Sequence, residues 1–219
     1  SGQNNVFVGS AAGYQVTTSQ RNVFVGRLAG QAVTTGDDQT VVGYNALYSC
    51  TTGDKNTALG HGSLYAVTTA AENTAVGYSA GDSITTGGHN VSVGRSAGQA
   101  ITTGTQNTCL GTHACSVTTG HDNVSMGYTS MAGCTGTASN NIMIGRNSGY
   151  HTNANNNIGI GHNTLYASTT GQVLTAVGYS ALSANTTGSN NNAFGYQSLV
   201  SNTTGSNNVA VGYYALASN

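Results

Sequence analysis

The chain has 219 residues, of which 32 are Gly, none is Pro or Trp, and only 5% are charged against a usual share of about a quarter. Five Lys+Arg against six Asp+Glu leave a net charge of −1, which excludes a nucleic-acid binder with a basic footprint and equally an acidic tail. No run approaches the roughly 18 apolar residues of a membrane span. With 37% hydrophobic residues, rich in Ala and Val, the core must be thin and repetitive.

In chain order, Ser1-Gly2-Gln3 reads as a return turn, followed by a strand ending at Val8, a corner at Gly9 and a short second strand ending in Thr17-Thr18. The same series then repeats. The corner glycines are Gly9, Gly26, Gly43, Gly60, Gly77, Gly94, Gly111, Gly127, Gly145, Gly161, Gly178, Gly195 and Gly212, and nine of the twelve spacings are 17 residues. The exceptions (16, 18, 16) fall between Gly111 and Gly161. A 17-residue period is too short for a helix pair or a propeller blade and has no leucine-rich pattern. The expected fold is therefore all-β: a parallel β-solenoid of thirteen 17-residue coils forming one repeat domain over 1–219, irregular at about 111–161. At about 4.8 Å per coil it forms a rod roughly 60 Å long. The chain breaks off inside a second strand at Tyr214–Asn219, and Ser1 resumes the register with one residue missing, so the expectation is either a piece of a longer fibre or subunits that stack head to tail into a filament.

Stacked coils place equivalent residues in files. The residue before each corner Gly is always apolar, which places Val8, Val42, Val76, Val93, Val177 and Val211 in the core. Three residues after the Gly nothing larger than Thr occurs, as two closely opposed walls require. Four before it stands Asn in eleven of thirteen coils, with Gln39 and Leu174 as exceptions, and stacked amides can hydrogen-bond up the file. With the residue before the Gly inward, alternation sends Phe7, Phe24, Val41, Ala75, Ala176, Ala193 and Ala210 outward, an apolar stripe that wants a partner.

Chemistry-bearing residues are few. Cys50 and Cys134 share a file but lie about 24 Å apart, too far to bridge. Cys109, His113, Cys115 and His121 match no zinc spacing, so the cysteines read as small apolar filling of the Val and Ala files, and no metal is expected. Asp37, Asp38 and Asp54 stack beside Lys55 and read as a solvated corner. No catalytic residue, cofactor or enzyme activity is expected. Tyr44, Tyr78, Tyr128, Tyr179, Tyr196 and Tyr213 follow the corner Gly and form a candidate file for glycan or partner contact.

The runs Asn73-Thr74-Ala75-Val76-Gly77-Tyr78-Ser79-Ala80, Asn123-Val124-Ser125-Met126-Gly127 and Asn208-Val209-Ala210-Val211-Gly212 resemble the head repeats of trimeric autotransporter adhesins and equally those of bacteriophage tail fibres. The resemblance implies a left-handed β-roll assembled as a homotrimer, an extracellular fibre segment on a cell or virion surface, with cell-surface glycan or matrix as a possible partner. The coil here is longer, and no heptad stalk or membrane anchor is present in it. The alternative is an ice-binding solenoid that uses the Thr file Thr17, Thr34, Thr51, Thr68, Thr85, Thr102, Thr118, Thr169, Thr186 and Thr203. Against it, adjacent Thr residues supply one outward hydroxyl per coil.

Overall fold

The computed structural model describes residues 2–115 and 119–218. They form two compact units, Ser1–Leu110 and Gly111–Asn219, each built from the same coil, and no helix occurs among the described residues. The first unit stacks seven three-residue strands in chain order as a parallel sheet: β1 (Val6–Val8), β2 (Val23–Val25), β3 (Thr40–Val42), β4 (Thr57–Leu59), β5 (Thr74–Val76), β6 (Val91–Val93) and β7 (Thr108–Leu110). The second stacks β8 (Val124–Met126), β9 (Ile142–Ile144), β10 (Ile158–Ile160), β11 (Thr175–Val177), β12 (Asn192–Phe194) and β13 (Val209–Val211) in the same way. Within the second unit, the 18- and 16-residue spacings do not disturb the sheet. Val124 still pairs with Ile142 and Ile142 with Ile158, so the added and missing residues are taken up in the return turns. A one-residue slip inside a strand would have turned every side chain to the other face.

The corner admits only Gly. At Gly43 φ is 145°, and a Cβ there would overlap the carbonyl oxygen of Gly60 in the next coil. The second strand expected from the sequence is absent; this wall is a string of tight turns. Its alternate residues take positive φ, as at Asn45 (55°) and Leu47 (49°), a conformation that costs about 1–2 kcal/mol for a non-Gly residue. Hydrogen bonds to both neighbouring coils hold it there: Asn45 N donates back to Arg27 O (3.2 Å) and Leu47 N forward to Ser63 O (2.9 Å).

The amide file forms as expected and also sets the phase of the strand. Asn73 N donates to Asn56 Oδ1 (3.0 Å), Asn90 N to Asn73 Oδ1 (3.0 Å), and Asn73 Nδ2 reaches across the coil to Gly87 O (3.0 Å). Because these side chains cross the interior, the residue four before the Gly points inward. Alternation then sends the next residue out, the following one in, and the residue before the Gly out. Asn73→Ala removes both bonds and leaves the buried Asn90 N–H and Gly87 C=O without partners. We expect a loss of about 1–3 kcal/mol, read from chemical denaturation.

The expected core and the expected stripe therefore exchange places. Phe24, Val41, Ala75, Ala176 and Ala193 are fully buried, Ala210 nearly so, and Phe7 stacks on Phe24 with ring centroids 5.1 Å apart. Val8, Val42, Val93 and Val211 are exposed, and Val76 and Val177 are partly exposed. Uniform apolarity was the wrong test of burial in so narrow a coil. In several coils the core trades size between the residue two before the Gly and the residue four after it: Phe24 faces Gly30 and Met143 faces Gly149. Conversely Ala58 goes with Leu64, Ala176 with Leu182 and Ala193 with Leu199, all buried. A Cβ on Gly30 would lie 2.7 Å from the Phe24 ring, and one on Gly149 would lie 2.6 Å from Met143 Sδ. The small file three after the Gly is buried as expected, at Ala29, Ala46, Ala80, Ala97 and Ala181.

Candidate functional site

The outward face of each sheet carries two residues per strand. In the first unit these are Val6 and Val8, Val23 and Val25, Thr40 and Val42, Thr57 and Leu59, Thr74 and Val76, Val91 and Val93, and Thr108 and Leu110. In the second, Val, Ile, Thr, Met and Phe fill every position except Asn192. No charged residue interrupts either face. Val42, Val93, Ile160 and Phe194 are each about 36–41% exposed. β-Branched side chains on a pleated surface make such a face flat and stiff.

The edges beside this face differ in charge. Ahead of the strands in the first unit lie Arg21, Asp37, Asp38, Asp54, Lys55 and Glu72, and just past the corner lie Arg27 and Arg95. The second unit has Asp122 ahead of the sheet and Arg146 past the corner. The acidic edge is a ladder of its own. Arg21 bonds Asp38 (2.5 Å), and Glu72 pairs with Lys55 (3.5 Å) and His89 (3.0 Å). The guanidinium of Arg21 holds the Asp38 carboxyl below its ordinary range. Asp37 and Asp54 accept the backbone N–H groups of Gln20 (2.7 Å) and Asp37 (2.8 Å), so the acidic corner is structural.

The Tyr file follows the corner, but its ring faces are turned to one another. Tyr179 is stacked between His162 and Tyr196 (both 5.2 Å), and Tyr196 stacks in turn on Tyr213 (5.3 Å). Tyr44 lies between the Arg27 guanidinium (5.4 Å) and His61 (5.1 Å), Tyr78 stacks on His61 (5.0 Å), and Arg146 covers Tyr128 (5.6 Å). In the middle of the stack the edges, not the faces, are offered to solvent. A second ring file five after the Gly, which the sequence reading passed over, stacks Tyr48 on Tyr65 (5.2 Å) and Tyr150 on Tyr166 (5.3 Å). The same period would have exposed it.

Neither a family model, nor a curated protein, nor a solved structure matches this chain. Its geometry must carry the reading. In the Thr file, seven first hydroxyls are committed to the stack: Thr17 Oγ1 donates to Thr34 O (2.9 Å), Thr34 to Thr51 O (3.0 Å) and Thr186 to Thr203 O (3.0 Å). Thr51, Thr68, Thr85 and Thr169 repeat the bond, with Thr102 accepting from Thr85. Thr118 lies outside the described residues. Cys50, Cys115 and Cys134 are free and buried, and burial pushes the Cys50 thiol up to about 11. Cys134 is driven up further by burial and by Cys115 beside it, so both are suppressed as nucleophiles. Among the described residues no three His, Cys, Asp or Glu side chains converge as a metal site, and no helix is long and apolar enough to cross a membrane.

Proposed function

We propose that the chain is a segment of an extracellular structural or adhesive fibre that assembles as a homotrimer through its sheet face. The observation that carries this reading is the uncharged, β-branched outward face of each sheet, which in water asks for a cover of the same kind. Its resemblance to adhesin heads and tail-fibre repeats points the same way. The occupant is argued from charge. With copies side by side and parallel, the acidic edge of one meets the arginine edge of the next; an antiparallel arrangement would set like against like. Light scattering should give three times the 22.0 kDa chain mass at micromolar concentration. A folded monomer would defeat the reading.

The same face supports the ice-binding alternative better than the Thr file does. Its Thr40, Thr57, Thr74 and Thr108 stand with Val or Leu on a regular grid of two outward residues per coil, free of charge. A monomer showing thermal hysteresis, lost on placing Lys at Thr74, would establish it.

A further inference from the structure

We propose that the groove lined by Asn147, Asn163, Tyr166, Ser180, Ser183 and Ala184 is a binding site for one neutral pyranose ring of a glycan. Two files end together there. Tyr166 has one face on Tyr150 and the edge of His151 against it (5.7 Å), while the next residue in its file is Ser183. The amide run that links Thr129 to Asn147 (2.5 Å) and Asn147 Nδ2 to Asn163 Oδ1 (3.0 Å) gives way in the same coil to Ser180. The double step from large to small leaves a groove of about 330 Å³, at the small end of the range for ligand sites, roughly 300–1,000 Å³.

The chemistry of the walls selects the ligand. Among the described residues no ring stacks on the second face of Tyr166, and an aromatic face takes the C–H side of a sugar ring through its negative quadrupole. The Asn163 Nδ2 donors and the Ser180 and Ser183 hydroxyls make no hydrogen bond within the chain among the described residues, so they are available to ring hydroxyls. No lining residue is charged, so uronic and sialic acids gain no counter-ion. The middle of the corner Tyr file lacks this combination, since both faces of Tyr179 and Tyr196 are covered. The site deepens the adhesive part of the proposed function. It depends on the coil alone, and a monomer would present it equally.

The test is an amide-detected NMR titration of the labelled chain with methyl glucopyranoside, methyl galactopyranoside and N-acetylglucosamine, each as a separate probe. At least one should shift the Asn163 side-chain amide and the backbone signals of Tyr166, Ser180 and Ser183. Ser183→Tyr should weaken binding by about tenfold or more, because it caps Tyr166 as Tyr166 caps Tyr150 and removes that stacking partner. This variant repeats an arrangement the chain already holds, so it should fold; Tyr179→Ala should bind normally. Silence with all three sugars in a folded chain, or undiminished binding by Ser183→Tyr, would overturn the site while leaving the trimer untouched.

Discussion

Replacing Phe24 by Ala should cost the first unit about 3–5 kcal/mol, and replacing Gly30 by Leu should be at least as damaging, yet the two together should recover most of the loss. The ring of Phe24 occupies the space that a side chain at residue 30 would need. The double variant recreates the pairing of Ala58 with Leu64 two coils further on, where Leu64 keeps a φ of 50°. Chemical denaturation of the wild type, both single variants and the double variant would give the coupling energy directly. Additive losses would show that the two positions do not share one volume.

Ala75 and Val76 are neighbours in β5, and Glu at each should act on a different property. At Ala75, fully buried, the carboxyl must be kept neutral, which at pH 7 costs about 4 kcal/mol before any overpacking is counted. Such a group has its folded pKa raised, so the penalty is absent below the ordinary carboxylate value, grows as pH rises above it, and is full only above the raised pKa. Val76→Glu combined with Val93→Glu puts two charges on the outward face instead. The proposed trimer should then give way to single chains by light scattering while the β spectrum is kept, with Tm falling towards that of the isolated chain. Loss of fold in that double variant would return these valines to the core.

The period, the corner glycines, the small file and the amide file were legible in the sequence because each is nearly invariant along the chain. The phase of the strand was not. A file of valines at the residue before the Gly looks buried by composition, whereas the core file runs from Phe24 through Ala75 to Met143 and back to Ala210 and looks irregular. The irregularity is the core's signature, since two opposed walls must share a fixed width, and a Phe on one demands a Gly on the other. The amides held the missing clue: an Asn that bonds across the coil must point inward, and this fixes every residue after it. The groove at Tyr166 could not be seen while only one of the two ring files had been recognised. Nor do propensities foretell turns at the expected second strand, because positive φ at residues such as Leu47 and Leu182 is imposed by bonds to the coils on either side.

Because backbone hydrogen bonds such as Thr57 N to Asn73 O (2.8 Å) and Gly60 N to Val42 O (2.8 Å) join successive coils, the load on a unit pulled along its stacking direction falls on them end-on rather than in shear. Such bonds yield one row at a time. Each 17-residue coil that lets go releases about 55 Å of contour from a height of about 5 Å. Under tension a unit would lengthen stepwise by more than tenfold per coil while the coils still closed keep their own core, absorbing work instead of transmitting it.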